Sequence, residues 1–171
     1  MYKCNHLIKQ WKLKKICDVE ICDDDNSWVH FSNIDWNLAE QHGWIYFVMM
    51  YNPLTKKHHM LKIGETYLNL FKYNNKTDSY VRGGGQGDNG RLSQYRNGGT
   101  TNKFVRELMI RYLNLGFKVI IRGYKAKTYT EYDDVIGEDI VLCGSKMMEG
   151  KFIKMYLDEC GEELEGNKGN R

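Results

Sequence analysis

The clearest apolar run in the chain is Trp44-Ile45-Tyr46-Phe47-Val48-Met49-Met50. Aromatic and β-branched residues dominate it, so it predicts a strand. Turn-forming residues follow from Tyr51 to Lys56, and His59 to Ile63 predicts a second strand that Gly64 ends. Two strands joined so closely pair as an antiparallel hairpin. Residues 91–96 predict a short helical segment that Asn97-Gly98 stops. A longer helix follows, capped by Thr101 or Asn102, with Phe104, Leu108, Met109, Tyr112 and Leu115 on its apolar stripe and Gly116 at its end. Residues 117–121 predict a third strand. Ser145 begins a last helix that runs to Cys160, with Gly161 as its stop.

Before the hairpin the pattern is weaker. Residues 8–16 predict a short basic amphipathic helix, Asp23 to Asn26 a polar break, and residues 35–41 a short helix stopped by Gly43. Residues 72–90 are polar and glycine-rich and predict a mobile loop. Residues 125–142 carry no clear pattern. The expected fold is a small α+β domain, a three-stranded antiparallel sheet flanked by helices. Residues 43–160 form its body, 1–42 an N-terminal helical or irregular extension, and 161–171 a polar tail.

Composition narrows this picture only slightly. A chain of 171 residues with 42% hydrophobic and 27% charged residues suits one globular domain. No apolar run reaches the ~20 residues of a membrane-spanning helix, and the basic N-terminus lacks a signal-peptide core. A cytoplasmic protein is expected. The five cysteines are dispersed and odd in number, which fits reduced thiols. Cys17 and Cys22 lie near several aspartates, but no second Cys/His pair completes a zinc site. The net charge of +3 permits a nucleic-acid partner without implying one. The distribution says more: Arg82, Arg91, Arg96, Lys103, Arg106 and Arg111 share a stretch with few acids, whereas residues 158–165 are acidic.

Candidate chemistry starts with Glu149. Phe152, Ile153, Tyr156 and Cys160 lie at i+3, i+4, i+7 and i+11 from it, so a carboxylate sits on an apolar helical stripe. Such a group either reaches solvent or an arginine at the stripe's edge, or it is paired, protonated or metal-bound. Tyr46 alone reads as core or sheet surface. Lys62 lies in an apolar strand beside a glycine; it points to solvent by alternation, or hairpin pairing brings it near Tyr46, where its charge would favour the phenolate. Arg91 follows the glycine-rich stretch and suits phosphate binding, although surface arginines are common. Gly83 to Gly87 lacks the spacing of a phosphate-binding P-loop. His58 and His59 fall in the hairpin turn and read as solvated.

The order of these residues carries more than any one of them. Trp44-Ile45-Tyr46, Lys62-Ile63-Gly64, Gly90-Arg91-Leu92 and the helical Glu149 resemble the motif series of the GIY-YIG nuclease superfamily. The resemblance covers roughly residues 43–160. Trp44 replaces the family's first glycine, and Lys62 replaces the tyrosine of the second motif. Lysine there resembles a type II restriction endonuclease branch, as do Leu92-Ser93-Gln94-Tyr95, Asn97-Gly98, Thr100-Thr101-Asn102 and Ser145-Lys146. The resemblance implies a sequence-specific endonuclease that hydrolyses phosphodiester bonds of double-stranded DNA. Its alternatives are a homing or phage-encoded nuclease, or a non-catalytic DNA-binding protein that keeps the fold. It implies Tyr46, Lys62, Arg91, Glu149 and Tyr95 as catalytic, with Glu149 holding Mg²⁺ or, in substitution, Mn²⁺. Arg82, Arg96 and Lys103 would contact DNA, together with residues 1–40, 72–90 and 125–142. The resemblance also implies an asparagine near the C-terminus, for which Asn167 is the candidate. A homodimer on DNA is expected, with no organic cofactor and no membrane partner.

Overall fold

The computed structural model describes residues 4–22, 25–71, 90–92, 94–97 and 100–170. The glycine-rich stretch from 72 to 89, Arg82 included, lies outside them, as do Asp23, Asp24, Ser93 and Gly98. The elements are α1 (Asn5–Gln10), β1 (Lys14–Cys22), β2 (Asp25–Ser32), α2 (Trp36–Ala39), β3 (His42–Asn52), β4 (Lys57–Asn69), α3 (Gln94–Asn97) and α4 (Thr100–Asn114), followed by β5 (Lys118–Lys125), β6 (Thr128–Asp133), β7 (Glu138–Cys143), α5 (Ser145–Cys160) and a closing 3-10 helix (Glu165–Asn170).

The α+β class holds, but the main sheet has five strands and not three. It is antiparallel throughout, in the order β2-β1-β5-β3-β4. The two extra strands come from residues 14–32. The helix expected over residues 8–16 is a shorter helix and the start of β1. α1 stops at Gln10, and Lys12 takes a left-handed φ of 52° that turns the chain into the strand. A bulge between Lys15 and Cys17 then buries Ile16 and Cys17 together, which breaks the alternation that marks a strand in sequence. The unpatterned residues 125–142 form a separate two-stranded hairpin, β6-β7. β4 runs through Gly64 to Asn69, past its expected end.

The unbroken apolar run of β3 reflects burial on both faces. Trp44, Tyr46, Val48 and Met50 pack with Val105 and Met109 of α4, and with Ile16 and Val19 of β1. Ile45, Phe47 and Met49 face the other way, onto Leu7 and Trp11 from the N-terminal segment and Phe152 and Tyr156 of α5. Helices thus cover both sides of the sheet, and α1 belongs to the second layer. Trp11 is central there. Its ring meets Phe152 edge-on at 4.9 Å and Phe47 at 5.8 Å. α5 spans the residues expected of it and ends at Gly161, whose N–H donates to the Leu157 carbonyl at 2.8 Å. Among the described residues, no helix is long and apolar enough to cross a membrane.

This layering makes Cys4, Leu7 and Trp11 part of the core. Trp11→Ala is expected to destabilise the protein by about 3–5 kcal/mol, the usual cost of emptying a large aromatic site. Urea unfolding followed by circular dichroism measures it. The midpoint should fall with little change in slope.

Candidate active site

β4 is an edge strand, and the candidate residues meet along its free side. β3 and β4 pair Tyr46 with Gly64 and Val48 with Lys62, so Lys62 lies two residues from Gly64 on the face that carries Tyr46. The phenol of Tyr46 lies across Gly64. A Cβ at residue 64 would overlap its Cζ and Oη and come within 2.8 Å of Cε2. Only glycine leaves this space, and through it the phenol reaches the sheet margin.

Arg91 arrives from the other end of β4. Its N–H donates to the Asn69 carbonyl at 2.9 Å, and the Leu92 N–H donates to the Leu70 carbonyl at 2.9 Å. Gly90, at φ 84°, makes this return possible, because a Cβ there would strike the backbone of Leu70 and Phe71. The guanidinium carbon of Arg91 stands 5.9 Å from the centre of the Tyr46 ring, and the group also donates to the Gln94 side chain. Glu149 comes from α5 in the opposite layer. One turn earlier, Ser145 Oγ donates to Glu65 Oε2 at 2.8 Å and ties the start of α5 to β4.

Tyr46, Lys62, Arg91 and Glu149 thereby line one cavity of about 300 Å³, together with Gly64, Glu65 and Asn102. Tyr95 does not line it. It is buried behind Tyr46, with the two hydroxyls 2.9 Å apart. Lys103 lies on α4 with an exposed side chain, 3.9 Å from Glu107. Arg96 belongs to α3, and its side chain lies outside the described residues.

The polar C-terminal tail also reaches the site. The side-chain amide of Asn167 accepts from the Ile63 N–H at 3.1 Å and donates to the Ile63 carbonyl at 3.0 Å. The ammonium of Lys62 donates to the Gly166 carbonyl at 3.3 Å. Asn167 thus holds β4 between Lys62 and Gly64 from 104 residues away in sequence.

The electrostatics are those of opposite charges held in a confined place. Burial raises the Tyr46 pKa, while the Arg91 charge and the Tyr95 hydrogen bond pull it back. Burial also pushes Tyr95 well up. Burial lowers the Lys62 pKa against the opposing pull of Glu149. Glu149 is raised by burial and by the neighbouring Glu65, against Lys62 and Arg91. Glu65 is the residue that sequence reasoning passed over. It directly follows the glycine at which the strand was expected to end, and its signal is a carboxylate continuing an apolar strand three residues after Lys62.

Two carboxylates on one cavity suit a hard divalent cation, since Mg²⁺ is commonly held by one or two carboxylates with water and substrate phosphate oxygens completing its shell. Glu149 and Glu65 supply that donor set. Among the described residues, no cluster of three or more His, Cys, Asp or Glu residues forms a fuller cage.

No protein-family model matches the chain, and no curated protein matches it. Solved structures do. The fold is similar to that of a point mutant of EndoII from bacteriophage T4, with a TM-score of 0.59 and 15% identity over 88% of this chain and 92% of that one. The chain therefore shares its α+β fold with EndoII. The restriction endonuclease HPY188I in complex with product DNA gives a TM-score of 0.49 at 15% identity, over 98% of this chain and 86% of that one.

The pKa of Glu149 sets a pH dependence of stability. Its folded value is raised, so the native state holds this proton more tightly than the unfolded chain does. The resulting stability is full below the unfolded pKa, about 4.3, and is lost as pH rises through the folded value. Glu149→Gln should therefore melt higher than wild type at pH 7, with the gain vanishing below about pH 4. Mg²⁺ should raise the melting temperature of wild type but not of Glu149→Gln. Scanning calorimetry with and without Mg²⁺ checks both outcomes.

Gly64→Ala should displace the Tyr46 phenol and lower the melting temperature by several degrees, since about 1–3 kcal/mol is typical of overpacking. Gly64→Ala combined with Tyr46→Ala should melt higher than the sum of the two single losses predicts. Thermal melts of the four proteins measure this coupling.

Proposed function

We propose that the chain is a metal-dependent endonuclease that hydrolyses phosphodiester bonds of double-stranded DNA, acting as a type II restriction enzyme. One observation carries the reading: Tyr46, Lys62, Arg91 and Glu149, from two strands, a turn and a helix, line a single cavity at the edge of the sheet. Hairpin pairing brings Tyr46 and Lys62 together, while Arg91 and Glu149 reach the same cavity from a separate turn and helix, which supports the reading. The fold shared with EndoII supports the same class.

In this reading Arg91 binds the scissile phosphate through its planar fork and stabilises the charge that builds on it. Tyr46 enters as a neutral phenol, because burial raises its pKa. It serves as a relay, taking a proton from the attacking water as it gives up its own. Lys62, lowered by burial, is the base the cavity offers for that proton. The water oxygen bonds to phosphorus as the bond to the leaving oxygen breaks. Tyr95 is a positioning residue that holds the Tyr46 hydroxyl. Glu149, with Glu65 beside it, would hold the Mg²⁺, for which Mn²⁺ substitutes, and the metal supplies charge neutralisation at the phosphate. Lys103, Arg96 and Arg82 are proposed phosphate contacts. A homodimer reads a short symmetric site, one active site per strand. A phage-encoded nuclease is the second reading, favoured by the likeness to a phage protein.

The experiment is incubation of the purified protein with plasmid and phage DNA, with and without Mg²⁺, followed by sequencing of the ends. Metal-dependent cuts at one short sequence are the expected result. Scattered cuts favour the phage reading, and intact DNA that the protein still binds would leave a non-catalytic DNA-binding protein. Tyr46→Phe should slow single-turnover cleavage by about 10²–10⁴-fold, the range for lost proton transfer, with folding intact. Glu149→Gln should abolish cleavage and keep DNA binding in a filter assay, since it removes a metal ligand and no phosphate contact.

A further inference from the structure

The β6-β7 hairpin stands apart from the main sheet. It pairs only with itself, and residues 128–139 are exposed except for the half-buried Asp133. A lone two-stranded hairpin is marginal in water, and this one displays apolar groups. Val135 and Ile136 at its turn are 94% and 60% exposed. The segment from Thr128 to Cys143 carries five acidic residues and no lysine, arginine or histidine. An acidic arm is repelled by a phosphate backbone, so within residues 125–142 only Lys125 and Lys127, which precede the arm, carry charge that favours a DNA contact.

The surface at the base of the arm has the opposite character. Two adjoining hollows, of about 320 and 220 Å³, share Tyr124 and Met148. Their floor is apolar, with Trp11, Phe152 and Met155 in one and Tyr129 and Met147 in the other. Met147 is 72% exposed. Lysines line them: Lys12 and Lys151 in the first hollow, Lys127 in the second. The arm's own tip cannot fill this groove, because six residues of strand carry it roughly 20 Å from its base.

We propose that the chain forms a dimer with a second copy of itself by reciprocal exchange of these arms. The apolar turn Val135-Ile136 of each copy seats in the groove at the base of the other's arm. Asp133, Asp134, Glu138 and Asp139 around that turn face Lys12, Lys127 and Lys151. Tip and groove lie at opposite ends of one arm, so a two-fold axis through the middle of the paired arms satisfies both contacts at once, as an isologous interface requires. The lysine–carboxylate contacts select the register, and the buried turn excludes water. The proposal concerns the surface through which two copies meet, and it stands whether or not the cavity cuts DNA.

Sedimentation equilibrium of the full chain without DNA tests it. Wild type should run at twice its 20.1 kDa mass. A tip-reversed variant, Asp134→Lys with Glu138→Lys, and a groove-reversed variant, Lys127→Glu with Lys151→Glu, should each dissociate at least about tenfold more readily. Mixed one to one, they should pair as tightly as wild type, because each tip then meets a groove of opposite charge. The milder Val135→Ser with Ile136→Ser alters only the exposed turn and should also weaken the dimer. Wild type that stays monomeric at about 100 µM overturns the proposal. So do reversed variants that dimerise like wild type. A mixture that stays monomeric while the serine variant still dimerises normally overturns it as well.

Discussion

The phenol of Tyr46 lies across β4 at residue 64, and the cavity depends on that close approach. A strand normally directs its side chains away from its neighbours' edges. Here the missing Cβ of Gly64 leaves room on one face of β4, and a side chain from the interior strand β3 lies over it toward the margin. The hydroxyl is then fixed from behind by Tyr95 and flanked by Arg91. Every other member of the cavity is placed relative to this ring. Lys62 stands two residues before Gly64 and Glu65 one residue after it.

The two-layered core explains how chemistry from opposite sides of a sheet converges. Arg91 and Tyr95 belong to the layer that contains α4, whereas Glu149 belongs to the layer that contains α1 and Trp11. An interior strand would keep these layers apart by its own width and its neighbour's. At the edge strand no further strand pairs beyond, among the described residues, and side chains from both layers reach around it. The arrangement also sets the charge balance. Burial and the neighbouring Glu65 raise the cost of ionising Glu149, and Lys62 and Arg91 offset it. A cation or a phosphate entering the cavity changes the balance on all four groups together.

Residues whose burial follows one local rule were legible in the sequence, and residues placed by long-range contacts were not. β3 showed itself because burial on both faces removes all alternation, and α5 because its stripe and its glycine stop are local. β1 was hidden by a bulge that puts Ile16 and Cys17 inside together. Of the four candidate residues in the cavity, Glu149 alone has a local signature, a carboxylate on an apolar stripe, and Tyr46, Lys62 and Arg91 stand out only through the order of the motifs. Glu65 is hidden in the sequence because Gly64 before it reads as a strand end, when its role is to admit a ring from the next strand. Asn167 looked like part of a polar tail, and nothing near it in the chain reveals that its partner is Ile63.

That last contact has a consequence for how the protein behaves among its own copies. An edge strand exposes a row of N–H and carbonyl groups that another chain can extend into a larger sheet. Along β4 the amide of Asn167 imitates one residue of a neighbouring strand, taking both backbone groups of Ile63. Gly166 presses close enough that a Cβ there would meet the Leu61 carbonyl at 2.8 Å. The closing 3-10 helix is thus a stopper on the sheet's open margin. The same few residues that steady the lysine of the cavity also deny aggregation its template.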